Sequence, residues 1–261
     1  MKDTQIGIIG GTHGMGRWFA DYLTGQGHVV HVSGRTTGMG IEEMAACCQV
    51  VVVSVPISVT GGIIAQIGPL MKNDSLLMDL TSVKVEPVKA MLKFSPSEVI
   101  GCHPLFGPHV PSIERQHVVL CPVRTEKWLP WLRDVLEKGG ALLVETTPEK
   151  HDEMMSVVQG LNHLNTIMMG MALSKTSAPL SQMDQFTTSL FDIKAGMVKG
   201  NFSGNPRLYA EILCNNQRMP KIIEIYGEAL EEIGRLVMRG DADALHDLME
   251  QTAVRLWPPK N

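Results

Sequence analysis

The chain has 261 residues, 44% hydrophobic and 19% charged, enough apolar material for a sizeable core and too much for a disordered or collagen-like chain. No apolar run approaches the roughly 18 residues of a membrane span, and Met1-Lys2-Asp3-Thr4-Gln5 leads into a strand-like segment rather than a signal peptide, so a cytoplasmic protein away from membranes is expected. Twenty-three Lys plus Arg against 27 Asp plus Glu, a net charge of −4, offer no footprint for nucleic acid, which leaves a small molecule as the expected partner.

The first strand is read at 5–10 and runs into Gly10-Gly11-Thr12-His13-Gly14-Met15-Gly16, with a helix over 18–25. Glycines at a strand-to-helix turn let backbone N–H groups approach a pyrophosphate, and the helix N-terminus adds partial positive charge. The literal Gly-x-Gly-x-x-Gly pattern fails, because the register that starts at Gly11 and ends at Gly16 puts His13 at the middle glycine. Gly10, Gly14 and Gly16 also fit the Gly-x-x-x-Gly-x-Gly spacing of short-chain dehydrogenases. That alternative falls, since Gln26, Leu213 and Leu230 stand four residues after the three tyrosines where a lysine is required.

The second strand, at 28–33, ends in Ser33-Gly34-Arg35-Thr36-Thr37. An NAD site normally places an acid here against the ribose hydroxyls, whereas Ser33, Arg35 and Thr36 suit a 2′-phosphate. NADP is therefore expected as cofactor, with NAD left open. Further strands are read at 50–55, 75–79, 98–101, 118–121 and 141–145, with helices such as 60–71 and 128–138 between them. Alternation of this kind predicts a doubly wound, Rossmann-type α/β fold with a parallel sheet. The segments Asp79 to Lys84 and Gly101 to Pro108 fall at strand ends, where ligands bind in such sheets. His103, just past a strand and fixed by Pro104, is a general-base candidate.

After Pro148 the strand signals stop. A helix from 148 through 171 is predicted, then segments near 183–200, 206–238 and 241–255, so the expected division is a cofactor domain over 1–147 and an all-helical domain over 148–261. Met154, Met155, Met168, Met169, Met171, Met183 and Met197 are read as core, including helix packing between two copies in a homodimer. The five cysteines, Cys47, Cys48, Cys102, Cys121 and Cys214, make a poor disulfide framework and read as reduced core thiols. No metal-ligand spacing occurs among the nine histidines, and no metal is expected.

Several runs taken together resemble the prephenate and arogenate dehydrogenases of tyrosine biosynthesis (the TyrA family). They are Met15-Gly16-Arg17, Ser54-Val55-Pro56-Ile57, Asp79 to Lys84, His103-Pro104-Leu105-Phe106-Gly107-Pro108, His151-Asp152, Gln159 to His163 and Asn205-Pro206-Arg207-Leu208-Tyr209. The likeness is greatest to the dehydrogenase domain of bacterial enzymes fused to a chorismate mutase, and no mutase segment is expected ahead of Met1. It implies oxidative decarboxylation of a cyclohexadienol acid, with hydride passing to the nicotinamide, the 4-hydroxyl proton to a base, and carbon dioxide departing. It further implies that His103 is the base, that Ser82 bonds the same hydroxyl and the cofactor, and that Gln159, His163 and Tyr209 reach the substrate. Val55 and Pro56 join the cofactor contacts, and His151 supports the interdomain helix. Where the family carries a carboxylate-pairing arginine this chain has Gly200, with Lys199 beside it, and the family arginine eight residues earlier is matched by Asp192. Lys199 or Arg207 takes over, or the substrate is another acid such as 4-amino-4-deoxyprephenate; a non-catalytic NADP-binding regulator is the remaining alternative, against which both Ser82 and His103 stand.

Overall fold

The structure, a computed structural model, describes residues 4–34, 39–177, 180–183 and 185–259. Seven strands, β1 (Gln5–Ile9), β2 (Val29–Ser33), β3 (Val50–Val53), β4 (Leu76–Asp79), β5 (Glu98–Pro104), β6 (His117–Arg124) and β7 (Leu142–Glu145), form one sheet in the order β2-β1-β3-β4-β5-β6-β7. The strands are short apolar runs, β-branched in β1, β2 and β3, whose successive side chains enter opposite faces. Ile6, Ile8, Val50 and Val52 meet helices α1 (Gly14–Gly25) and α5 (Trp128–Lys138) through Phe19, Leu23, Trp128 and Leu132. Ile9, Val51 and Val53 face α2 (Ile41–Cys47), α3 (Ile57–Ile67) and α4 (Val85–Phe94) through Met44, Ile64, Ile67 and Met91. Both faces are thus covered, as the strand pattern requires.

Two features differ from the sequence reading of a parallel sheet. β5 pairs antiparallel with β6, while every other neighbouring pair is parallel. The same pairing lengthens β5, so His103 lies inside the strand, in register with Val119, rather than past its end.

Beyond the sheet come α6 (Pro148–Met155), a π-helical turn (Ser156–Leu161), α7 (Asn162–Lys175), α8 (Leu180–Met183), α9 (Ser189–Ser203) and α10 (Pro206–Asn215). Thr147 caps α6 by accepting from the Lys150 N–H, with Pro148 in its first turn. The helix expected at 206–238 is two helices. Asn216 takes an extended backbone and buries its side chain, which donates to the Asp152 carbonyl oxygen at 2.8 Å, and Pro220 is tolerated only because it falls in the first turn of the second helix.

The sheet and the helices through α10 belong to one compact unit ending at Gln217, and Arg218 begins a second. The second unit contains α11 (Met219–Arg239) and α12 (Ala242–Leu256). Gly240, at φ 68°, supplies the left-handed cap of α11, and Asp241 caps α12 through the Ala244 N–H. No helix among the described residues is long and apolar enough to cross a membrane. Cys48, Cys102 and Cys121 are buried free thiols, but Cys47 and Cys214 are exposed, outside the expected core. Among the methionines read as core, Met155 is buried while Met154, Met168, Met171 and Met197 stand exposed on the single chain.

Gly16 sits where α1 crosses the β1 turn, and a Cβ there would lie 2.4 Å from the Gly10 carbonyl oxygen, whereas one on Gly61 in α3 would meet nothing within 4 Å. Gly16→Ala should therefore destabilise the protein by about 1–3 kcal/mol through overpacking, and Gly61→Ala should stabilise it by about 0.5–1 kcal/mol through helix propensity. Urea denaturation of the two variants checks both signs.

Candidate active site

Strand order reverses between β1 and β3, and a cleft of about 860 Å³ opens outside their C-terminal ends, the place where doubly wound sheets bind ligands. Gly10, Thr12, His13, Gly14 and Met15 line its first part, with Ser33, Val55 and Pro56 opposite. Gly10, at φ 84°, is pressed so near β3 that a Cβ would fall 2.0 Å from the Ser54 carbonyl oxygen. Gly11 and Gly16 serve packing here and do not line the cleft.

The displaced glycine has a local explanation. His13 is extended, at φ −146°, which any residue adopts, and the left-handed position falls on Gly14, at φ 55°. The glycine that the fingerprint lacks at 13 is needed at 14. His13 makes no side-chain cap and the first turn of α1 contains no acid, so the N-terminal N–H groups of α1 remain available to an anion. This fits a dinucleotide pyrophosphate. Arg35 and Thr36, read as contacts to a 2′-phosphate, lie outside the described residues.

The second part of the cleft is built on buried charge. Asp79 at the end of β4 pairs with Lys84, both side chains fully buried, and Lys84 Nζ also donates to the Cys102 carbonyl oxygen at 2.9 Å. Thr81 folds back within this segment, its backbone N–H donating to Asp79 Oδ2 at 3.0 Å and its hydroxyl to the Val83 carbonyl at 2.7 Å. Ser82, on the bend so fixed, faces the cleft. An ion pair this deep contributes little net stability, but losing one partner leaves an uncompensated charge.

A second carboxylate orients the candidate base. Asp152 accepts from the backbone N–H of Lys84 (2.7 Å) and of Val85 (3.0 Å) at the start of α4, and lies 2.7 Å from His151 Nδ1. An oxygen engaged only as acceptor requires the proton on His151 Nδ1. His151 Nε2 then has a lone pair and accepts from His103 Nδ1, 2.8 Å away. That tautomer leaves the lone pair of His103 on Nε2, which faces the Gln159 amide nitrogen at 3.4 Å. Burial, followed by the charges of His151 and Lys84, holds His103 well below the ordinary histidine value of 6.5. Burial likewise lowers His151, against the opposing pull of Asp152, and lowers His163. His103 is therefore a neutral acceptor at neutral pH.

The π-helical turn explains how one helical run supplies several of these groups. His151 and Gln159 are eight positions apart, a phase error of about 80° in a regular α-helix at about 100° per residue. A π turn absorbs one residue and brings the two back to one face. Both then reach His103. His163 follows on the same side, lines the cleft and packs against Tyr209 with ring centroids 4.7 Å apart. The side-chain amide oxygen of Gln159, Oε1, is buried with no hydrogen-bond partner among the described residues. On the far wall, Asn205 caps α10 through the Leu208 N–H at 3.2 Å, and Arg207, Leu208 and Tyr209 line the cleft.

Most of the expected site residues thus meet in one cleft. Lys199 does not: it is exposed on α9, and no residue of that helix lines the cleft. Gly200 is exposed as well, with open space around its α-carbon. The sequence reading gave His151 only a supporting place and passed over Asp152, Lys84 and Asp79 as a connected set. The adjacent pair His151-Asp152 just inside a helix, and an acid and a lysine five residues apart across a strand end, are the signals that were available.

A family model described as prephenate dehydrogenase, nucleotide-binding domain, matches residues 30–145, and one described as prephenate dehydrogenase, dimerization domain, matches residues 147–251. A probable arogenate/prephenate dehydrogenase of Methanocaldococcus jannaschii is 35% identical over 97% of this chain and 61% of its own length. The T-protein of Haemophilus influenzae is 32% identical over 94% of this chain and 66% of its own. The chain therefore spans less than two thirds of these curated relatives. Among solved structures, the A. aeolicus prephenate dehydrogenase in complex with hydroxyphenyl propionate and NAD+ shares the fold, with a TM-score of 0.78 at 20% identity over 98% of each chain.

The buried pair gives a test of the architecture. Lys84→Met should cost about 3–5 kcal/mol by stranding the Asp79 carboxylate, and adding Asp79→Leu should recover more than half of that loss. Urea midpoints of the single and double variants measure it.

Proposed function

We propose that this chain, which belongs to the prephenate dehydrogenase family, is a cytoplasmic NADP-dependent dehydrogenase that oxidatively decarboxylates a cyclohexadienol acid of the prephenate or arogenate type in tyrosine biosynthesis. The observation that carries this reading is the relay Asp152–His151–His103, which leaves an unprotonated Nε2 in the same cleft as the glycine turn. His103 Nε2 takes the proton of the ring hydroxyl as it becomes a carbonyl. His151 and Asp152 fix the tautomer and stabilise the charge that His103 then bears. Ser82 bonds the same hydroxyl, Gln159 and His163 bound the ring, and Tyr209 backs His163. Burial of these groups excludes water and holds the substrate in one orientation.

The turn from Gly10 to Gly16 would hold the pyrophosphate on α1, with Ser33, Val55 and Pro56 along the nucleoside. When bound, the nicotinamide supplies the hydride acceptor. NADP rather than NAD is favoured by Ser33, Arg35 and Thr36 and by the lack of an acid at the end of β2. We assign cofactor binding to 1–147 and dimerisation and substrate contacts to 148–261. Leu190, Ile193 and Met197 on α9 and Met168 and Met171 on α7 are exposed, an apolar surface suited to a second copy of the chain.

A second reading keeps the chemistry and changes the acid, for instance to 4-amino-4-deoxyprephenate. Gly200 and Asp192 at the two family arginine positions favour it, Asp192 being engaged with Thr187 on α9 rather than with the cleft. Turnover of each acid, followed by absorbance of the reduced cofactor, separates the two.

His103→Asn should lower turnover by about 100-fold or more while the cofactor dissociation constant stays unchanged. In the unmodified enzyme kcat/KM should be flat through neutral pH and fall only as pH drops through the lowered ionisation of His103, since protonation removes the accepting lone pair. That limb lies below the ordinary histidine value of 6.5 and should vanish in the variant; a limb at or above that value would count against the buried relay.

Calorimetry should show NADP binding more tightly than NAD. Paired bonds from Arg35 to the 2′-phosphate, at about 1.5–3 kcal/mol, correspond to roughly 10- to 150-fold. Arg35→Ala should erase most of that ratio by weakening NADP alone, and equal loss for both cofactors would assign Arg35 to the adenine or the turn.

A further inference from the structure

Gly200 leaves the family's carboxylate position without a side chain, and Lys199 beside it points elsewhere. The cleft nevertheless contains a fixed cation. Among its described lining residues Arg207, in the first turn of α10, is the one lysine or arginine. Its Nε donates to Glu211 Oε1 at 2.6 Å, and its Nη2 approaches Ser58 Oγ at 3.5 Å. Glu211 in turn is buried, and accepts from the Ser58 hydroxyl at 2.7 Å and the Ser58 N–H at 3.3 Å in the first turn of α3. The carboxylate that steadies Arg207 is thereby anchored on the helix that begins just after Val55 and Pro56.

This arrangement uses one edge of the guanidinium and leaves the other. Nε is committed to Glu211, whereas Nη1 and the second N–H of Nη2 form a parallel pair of donors, the geometry that forks a carboxylate. The side chain is 75% exposed, and among the described residues its hydrogen bonds run from Nε and Nη2 to Glu211 and Ser58, with none from Nη1. A guanidinium already held by Glu211 loses less side-chain freedom on binding than a free one.

We infer that Arg207, held by Glu211 and Ser58, receives a carboxylate of the substrate acid in this chain, replacing the arginine absent at Gly200. The inference rests on the dehydrogenase reading above and narrows it. The substrate is an acid that presents its reacting hydroxyl to His103 Nε2 and a carboxylate to Arg207.

Calorimetric titration with 3-(4-hydroxyphenyl)propanoate and with its uncharged primary amide, at saturating oxidised cofactor, isolates the carboxylate. The unmodified enzyme should bind the acid at least about tenfold more tightly than the amide, as expected for charge-assisted bonds. Arg207→Gln should bring that ratio to about one with the cofactor dissociation constant unchanged, and Arg207→Lys should restore only part of it. An unchanged ratio in Arg207→Gln would overturn the inference. So would equal binding of acid and amide, or of neither, by the unmodified enzyme, or a variant that loses cofactor affinity while keeping the ratio, which would place Arg207 on a cofactor phosphate. Turnover of prephenate or arogenate by the unmodified enzyme is read separately. Its absence alongside an Arg207-dependent ratio would sink the reading of prephenate or arogenate as substrate and leave the carboxylate site standing.

Discussion

Asp152 holds three parts of this molecule to one another through its two carboxylate oxygens and its backbone. One oxygen accepts the Lys84 N–H and the other the Val85 N–H, which pins α6 to the start of α4. The His151 contact carries that restraint to the end of β5, and Asn216 returns the end of α10 to the Asp152 carbonyl. A carboxylate at a helix N-terminus is favoured by the exposed N–H groups there. The same charge dictates which nitrogen of His151 carries a proton, and through it which nitrogen of His103 does not. Fold closure and the protonation pattern of the cleft are consequences of one buried acid.

Beneath this lies a separation of duties between charge and shape. The Asp79–Lys84 pair sits below the cleft floor and holds the bend that presents Ser82, without lining the cleft itself. The glycine turn, by contrast, works through empty space, with Gly10 and Gly16 allowing backbones to touch and Gly14 supplying a conformation closed to other residues. Neither device substitutes for the other, since the first orients polar side chains and the second admits a bulky anion.

Much of the architecture could be read directly from residues. The strands were legible because they are short apolar runs, β-branched and buried in β1 and β3, and the helical half because Pro148 follows closely after the last of them. The reversed pairing of β5 and β6 was not recognised, yet residues 105–116 contain Gly107, Pro108 and Pro111 and no helical pattern, and parallel neighbours need a crossover that such a segment cannot make. His103 was singled out by Pro104 and the Gly107-Pro108 turn that follow it, although the strand read as ending before it runs through it. Its partner His151 was not assigned to it, because the contact spans 48 positions and no local pattern records it. The break at Asn216 was hidden for the same reason: its cause is a hydrogen bond to Asp152, 64 positions earlier.

The π-helical turn over Ser156–Leu161 makes the cleft dependent on local helix winding as well as on side chains. One surplus residue in that turn sets the rotation of everything after it relative to everything before it. A substitution at Val157 or Val158, both exposed, changes a surface; rewinding the turn as ordinary α-helix with every residue kept would rotate His163 by about 100° away from His151, whereas loss of one residue together with the π turn would leave their phase as it is. The alignment of His151 and Gln159 on one face is thus held by how this stretch is wound.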